Sequence, residues 1–327
     1  MIEVGIAFDL RSDFAEGHGP DDRLDEYESP ETVDAIIVAL EACGYRARRL
    51  GGGRSLLQEL LERPPDLVFN MAEGAGTRSR EAHVAAVCEL LCVPYTHSDP
   101  LTLAATLDKS VAKRLVASAG MPTPRGQVVE SADAEIALDF PVIAKPVAEG
   151  SSLGLRVTSR VDGADELQPH LERLLRDYRQ PVLVEEFCPG PEFTVGVVGA
   201  GDGAAAIGLM ELVPRNVPLE RFVYSVEAKR AGPAGVDYYC PPRRPGALQE
   251  ALLETALAAY RVLGCRDIAR VDLRLDAEGT PYFLEVNPLP GLQPWWGDLV
   301  LLAEARGYGY RELIGTIVER ARERHGL

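Results

Sequence analysis

The chain reads as an α/β protein, with a parallel sheet and flanking helices over about its first hundred residues and then a β-rich part of mixed α+β character. Two observations predict this. Short apolar runs alternate with amphipathic segments as far as the boundary at residues 94–100, a rhythm that builds a parallel sheet. Beyond it the segments become shorter and richer in β-branched residues. At 327 residues and 46% hydrophobic content the chain can form more than one core, because single cores rarely outgrow about 250–300 residues.

Taken in order, residues 2–8 form an apolar strand, 11–28 an acidic loop, and 31–42 an amphipathic helix ending at Gly44. Strands are expected at 45–50 and 66–70, with helices at 55–61 and 80–91. Two helical stretches follow at 101–106 and 109–119. Strands are then expected at 141–146, 154–158, 182–187, 193–198 and near 205–213. A helix at 246–263 precedes strands at 267–275 and 280–286, which form a hairpin turning at Ala277-Glu278-Gly279. A final helix follows Tyr310.

A formal net charge of −16 argues against nucleic acid as the main partner, since phosphate backbones need clustered Lys and Arg. No run reaches the roughly 18–20 apolar residues of a membrane helix, and the start of the chain carries no basic targeting segment, so a cytoplasmic protein is expected. The six cysteines lack CxxC spacing, and Cys88 with Cys92 sits at i, i+4, as reduced core thiols would. Only four of the 34 basic residues are lysines: Lys109, Lys113, Lys145 and Lys229. In a chain that otherwise uses arginine, they mark places where a compact point charge is needed.

Three segments carry chemistry. Residues 141–155 place Lys145 at the end of an apolar strand, before a Gly-Ser loop whose small residues let backbone N–H groups approach an anion; a plain hairpin turn would look similar. Residues 182–195 run an apolar strand into Glu185, Glu186, Cys188 and Glu192, where a strand edge can read an adenine and a carboxylate can bind ribose, or simply end in solvent. Near the C-terminus, Arg270 and Asp272 share one face of a strand, and Glu285 and Asn287 one face of the next. Paired as a hairpin, they converge three hard oxygen donors beside an arginine, a set suited to Mg²⁺. A cross-strand charge ladder is the alternative, and it sits poorly with the apolar neighbours Val271, Leu273, Leu284 and Val286.

In this order the blocks resemble the ATP-grasp superfamily, and within it the D-alanine–D-alanine ligase family, over nearly the whole chain. The resemblance implies a Rossmann-like parallel-sheet domain at 1–100, followed by a two-part ATP-grasp fold with a central subdomain at 101–187 and a C-terminal subdomain with the metal and substrate site at 188–327. Leu107-Asp108-Lys109 and Lys145 are similar to the two ATP-binding lysine motifs, and Glu149-Gly150-Ser151-Ser152-Leu153-Gly154 to the loop that covers the phosphates. Glu185, Glu186, Cys188 and Glu192 fall at adenine and ribose positions, and Arg270, Asp272, Glu285 and Asn287 at the motif that holds two Mg²⁺ ions and the transferred phosphate. The run from Val223 through Tyr224 to Lys229 resembles the active-site loop whose lysine contacts the γ-phosphate. The implied reaction joins a carboxylate to an amine through an acyl phosphate made from ATP, with Arg270 and the backbone N–H of Gly291 holding the oxyanion and Ser151, Tyr224 and Lys229 alongside. Small carboxylate and amine substrates and a homodimer are also implied.

The pattern breaks around the substrates. The family's first-substrate Glu, followed two residues later by Ser, becomes Tyr27 and Ser29 with Glu28 between. A His-Gly segment becomes Asn70-Met71-Ala72-Glu73-Gly74, followed by Arg80 and Glu81. Arg230 replaces a tyrosine, and Trp295 and Trp296 replace small polar residues that bind the second substrate's carboxylate. Indoles cannot reproduce a hydroxyl's hydrogen bond, but they can wall a larger, flatter or cationic acceptor, or else simply pack in a core. The expectation is a ligase with an altered acceptor pocket; an authentic D-alanine–D-alanine ligase and a noncatalytic ATP-binding module are the alternatives.

Overall fold

The computed structural model describes residues 1–14 and 19–327, so residues 15–18 of the expected acidic loop lie outside the described residues. The first layer contains β1 (Glu3–Phe8), α1 (Pro30–Ala42), β2 (Arg46–Gly51), α2 (Gly53–Glu62), β3 (Leu67–Met71) and α3 (Ala82–Leu90). Its sheet is parallel, in the order β2-β1-β3. All residues of β1 and β3 are buried, as expected of strands covered on both faces. Ser29 caps α1 by accepting from the Thr32 N–H at 3.3 Å.

Two helices link this layer to the rest: α4 (Pro100–Leu107) and α5 (Lys109–Ser118). Asp99 caps the first through the Thr102 N–H at 2.9 Å, and Asp108 caps the second through the Val111 N–H at 3.0 Å. These caps fix Lys109 at the first helical position of α5.

The second layer comprises β4 (Gly126–Val129), β5 (Val142–Pro146), β6 (Arg160–Val161), α6 (Ala164–Tyr178) and β7 (Val182–Glu186), with an antiparallel sheet in the order β4-β7-β5-β6. The third comprises β8 (Glu192–Val198), β9 (Ala205–Pro214), α7 (Val226–Ala231), β10 (Val236–Tyr239), α8 (Gly246–Val262), β11 (Ile268–Leu275) and β12 (Pro281–Asn287), with an antiparallel sheet in the order β10-β9-β8-β11-β12. Then come α9 (Asp298–Ala305) and α10 (Tyr310–His325). No described helix is long and apolar enough to cross a membrane.

Packing does not follow chain order. Ala112 and Val116 of α5 join Leu252, Ala256 and Tyr260 of α8 in the core over the third sheet, while Leu107 at the end of α4 packs on Leu183 of β7, so these helices bridge the second and third layers. Likewise Val300 and Ala303 of α9 and Leu313, Ile314, Ile317 and Val318 of α10 share one core with Val4 and Ile6 of β1 and Ile36 and Leu40 of α1.

Two expectations need correction. Residues 154–158 form turns rather than a strand: Gly154 has a φ of +80°, and its N–H goes to the Asp22 carboxylate at 3.0 Å instead of to a neighbouring strand. Cys92 follows the end of α3 with a φ of +54° and is exposed, so only Cys88 of that pair is a core thiol.

Ile314→Ala is expected to destabilise the protein by about 2–5 kcal/mol, the cost of a large-to-small change at a site with no exposed surface. Equilibrium denaturation with intrinsic fluorescence measures it, and a loss below about 1 kcal/mol would mean that α10 is not part of the N-terminal core.

Candidate active site

The hairpin β11–β12 sets the centre of the site. Its antiparallel register places Arg270 opposite Asn287 and Asp272 opposite Glu285, so all four side chains share one face at the end away from the turn. A register shift follows Asp272, pairing Leu273 with Phe283, and Leu284 is thereby released to line the same cleft as Glu285. The Arg270 Nη2 lies 2.9 Å from Asp272 Oδ2, and Thr194 donates to Asp272 Oδ1. As placed, the Asn287 amide nitrogen donates to both Asp272, at 3.2 Å, and Glu285, at 3.3 Å. It thus bridges two carboxylates, as a cation between them would. Turning the amide to present Oδ1 gives two carboxylates and a carbonyl oxygen, a hard donor set that fits Mg²⁺. No group of three or more His, Cys, Asp or Glu side chains among the described residues forms a metal site without such an amide.

One cleft, of about 70 Å³, gathers Lys145, Lys229, Arg270, Asp272, Glu285 and Glu192 with Glu185, Glu186 and Cys188. Ile143, Leu155, Phe187 and Leu284 add apolar wall. The structure therefore brings together nearly all of the residues that the sequence associates with a nucleotide. Lys109 stands nearby, its ammonium 3.5 Å from Glu285 and donating to the Glu149 carbonyl. Although burial works against ionisation of Glu285, the surrounding Lys109, Lys145, Arg270 and Lys229 hold its carboxyl well below the usual range. Burial, opposed by Arg270, raises Asp272. Burial, reinforced by Arg270, lowers Lys229.

The sequence reading singled out Lys113 as a scarce lysine but gave it no role. It projects from α5 one helical turn after Lys109, and its ammonium is 2.7 Å from one oxygen of Glu185 while Lys145 is 2.7 Å from the other. The Glu185 carboxylate, 1% exposed, is thus committed to two lysines and positions Lys145. The i, i+4 spacing of two scarce lysines was the available signal. Glu192 ion-pairs with Arg274 at 3.3 Å, and burial pushes its carboxyl up to about 7. Glu186 instead faces Arg125, at 3.2 Å.

Over the cleft lies the Gly-Ser loop. Ser151 and Ser152 have φ values of +47° and +61°, and the Ser152 hydroxyl donates to the Tyr224 carbonyl at 3.0 Å, joining the loop to the segment before α7. Burial, reinforced by Asp298, holds the Tyr224 phenol well above its ordinary range, and it donates to Asp298 at 2.8 Å. Lys229 sits 5.3 Å over its ring. The acidic loop straps this assembly: Asp22, with no exposed surface, accepts from the Gly154 N–H and the Tyr178 hydroxyl, while Asp21 and Asp22 ion-pair with Arg156.

A second, larger cavity of about 650 Å³ opens beside the first and meets it at Tyr224, Lys229 and Arg270. Trp295 and Trp296 line it at 77% and 47% exposure, so they wall a cavity and are not core aromatics. Gly291 and Ser151 line it too. Trp296 spans to α7's end, where a Cβ on Gly232 would meet the indole at 2.5 Å. Arg230 reaches this cavity, but its guanidinium is held by Asp21 at 2.7 Å and Asp25 at 2.8 Å. Tyr27 stacks on Phe14 at 4.2 Å, and its hydroxyl donates to the Gly74 carbonyl. Ser29 is spent as the α1 cap. Glu28 lines both the large cavity and a smaller one beside Arg270, and burial pushes its carboxyl up to about 7.

A family model described as D-ala D-ala ligase C-terminus matches residues 115–319. The chain is 33% identical over 304 residues to the D-alanine–D-alanine ligase of Desulforudis audaxviator, covering 89% of this chain and 92% of that relative. It is 36% identical over 307 residues to a protein of Sinorhizobium fredii named "Uncharacterized protein y4sG", covering 90% and 88%. Its fold is similar to that of the D-alanine–D-alanine ligase of Bacillus anthracis complexed with ATP, with a TM-score of 0.75 and 22% identity over 100% of this chain and 99% of that one. It is similar also to the VanG D-Ala:D-Ser ligase of Enterococcus faecalis, with a TM-score of 0.73 and 19% identity over 98% and 99%. On the family match and the relatives spanning most of its length, the chain belongs to the D-alanine–D-alanine ligase family of the ATP-grasp superfamily.

Proposed function

We propose that the protein is an ATP-dependent carboxylate–amine ligase whose acceptor is larger than D-alanine. The observation that carries this reading is the junction of two cavities at Arg270: a lysine-lined cleft suited to a triphosphate, and an indole-walled cavity of about 650 Å³. Lys109 and Lys145 grip the phosphates, Glu186 and Cys188 edge the adenine end, and Glu192 faces the ribose. Asp272, Glu285 and Asn287 would hold two Mg²⁺ ions, which supply neutralisation of the phosphate oxygens.

The donor carboxylate attacks the γ-phosphorus, the bond to the ADP oxygen breaks, and an acyl phosphate and ADP result. Lys145, Lys229 and Arg270 neutralise charge as it spreads over the phosphoryl oxygens. The acceptor amine, as free base, attacks the acyl carbon; Arg270 and the Gly291 N–H hold the oxyanion until phosphate leaves and the amide forms. Ser151 and the loop around it exclude water, which would hydrolyse the acyl phosphate. Tyr224, fixed by Asp298, keeps Lys229 in place beneath that loop. The same reading carries a cytoplasmic location and a homodimer.

Lys145→Ala and Asp272→Asn are each expected to lower ATP-dependent ADP release by at least about 100-fold, the scale of losing one transition-state charge contact. Activity within a few-fold of the parent would remove the nucleotide assignment.

Incubation with ATP, Mg²⁺ and pooled amines, followed by product mass, tests the acceptor. Products larger than dialanine are expected, and Trp296→Ser should shift preference toward D-alanine by about tenfold, the order of effect of one added hydrogen bond to a carboxylate. Exclusive and rapid formation of D-alanyl-D-alanine by the parent enzyme would overturn the altered acceptor and establish the authentic D-alanine–D-alanine ligase instead.

A pH profile follows from Glu28. Its carboxyl is raised to about 7 by burial, and only the ionised form attracts a donor's ammonium. The kcat/KM for the donor should therefore climb as pH rises through about 7, and Glu28→Gln should flatten that limb. An unchanged profile in the variant would remove Glu28 from donor binding.

A further inference from the structure

A small cavity of about 50 Å³ lies beside the hairpin and is bordered by Arg270, Gly291 and Ser151, the groups that the ligase reading gives to the reacting carboxylate. Lys109 lines it too, and six carboxylates outnumber the cations around it: Glu26, Glu28, Glu73, Glu81, Glu149 and Glu285. Part of this charge is balanced within the protein. Arg80 binds Glu26 at 2.6 Å and Glu149 at 3.4 Å, and Gln180 donates to Glu149 at 2.6 Å. Glu285 faces Lys109, and Arg270 lies on the same hairpin face.

Glu28, Glu73 and Glu81 are left over. Glu28 is bonded to Thr32 but to no cation at contact distance. Among the described residues, the Glu73 and Glu81 side chains make no hydrogen bond and no direct ion pair. Glu81 is only 7% exposed, and it borders this cavity. It immediately precedes α3, where the helix dipole favours a carboxylate, and Arg80 and Lys109 act on it only from beyond contact distance. Burial pushes Glu81 and Glu28 up to about 7 and Glu73 well above its ordinary value, and neighbouring carboxylates reinforce it at Glu73 and Glu81, outweighing the more distant Arg80 and, at Glu81, Lys109.

An ordinary α-amino acid would bring one ammonium, which Glu28 accounts for. The pair Glu73 and Glu81, with no cation in contact among the described residues, has room for a second positive charge. We propose that the donor is an amino acid with a cationic side chain, its carboxylate at Arg270, its α-ammonium at Glu28 and its distal ammonium or guanidinium between Glu73 and Glu81. This rests on the ligase reading and extends it to the donor's chemical class. Neither carboxylate takes part in bond making; they are specificity-determining residues.

The test needs no knowledge of the acceptor, because hydroxylamine traps the activated donor. Its nitrogen attacks the acyl carbon, phosphate leaves, and a hydroxamate and ADP accumulate in equal amounts. The enzyme is given ATP, Mg²⁺, hydroxylamine and, one at a time, both enantiomers of alanine, glutamate, diaminopropionate, ornithine, lysine and arginine. At least one dibasic amino acid is expected to exceed alanine in kcat/KM by about tenfold or more, as one charge-assisted hydrogen bond supplies. Glu73→Gln and Glu81→Gln should each collapse that ratio while leaving the KM for ATP unchanged; a merely structural role would depress both donors alike. Hydroxamate from alanine at an equal or greater rate, or an undiminished ratio in both variants, overturns the proposal and leaves the ligase reading standing. No hydroxamate from any of these donors overturns both.

Discussion

Burying an ammonium group in a dry cleft is costly unless a carboxylate meets it, and this protein meets that constraint in pairs that interlock. Lys113 and Lys145 share the two oxygens of Glu185. Lys109 faces Glu285, and Arg270 is clamped on Asp272 and lies 3.5 Å from Asp298. All but Arg270–Asp272, which lies within β11, join separate elements: α5 with β7, β5 with β7, α5 with β12, and β11 with the start of α9. The charges that line the cleft are therefore also ones that hold the layers in register, and the cleft is organised by the protein's own pairs.

Much of this was legible in the sequence because the hairpin at 267–287 obeys a two-residue period with a turn at Ala277-Glu278-Gly279, so neighbouring faces could be assigned from spacing alone. The two cap residues Asp99 and Asp108 likewise announce α4 and α5. Other features were hidden for identifiable reasons. The alternation in residues 154–158 resembles a strand, but Gly154 adopts a conformation with positive φ that a distant carboxylate, Asp22, stabilises. Pro169 inside α6 conceals a helix whose amphipathic face carries Leu167, Leu171 and Leu174.

The candidate site shows the same division. Residues on one strand pair could be grouped in advance, whereas Lys113, Glu81 and Asp298 acquire their places through packing between layers. The acidic loop is the clearest case. In sequence it is a run of charges that solvent would satisfy; in the structure Asp21 and Asp25 hold Arg230, and Asp22 holds the turn that covers the cleft. The indoles show the converse, since a hydrophobic pair expected either in a core or on a cavity wall proves largely exposed on the wall.

The shared core of β1, α1 and α10 carries a consequence for how the polypeptide matures. Tyr45 and Glu319 are hydrogen-bonded although 274 positions separate them, and Ile36 and Leu40 of α1 share one core with Leu313, Ile314 and Ile317 of α10. As the nascent chain leaves the ribosome from its amino end, the first sheet emerges early and then waits, one flank open, through synthesis of both antiparallel sheets. The part translated first is the part completed last, and its protection during that interval falls to whatever shields apolar surface in the cell.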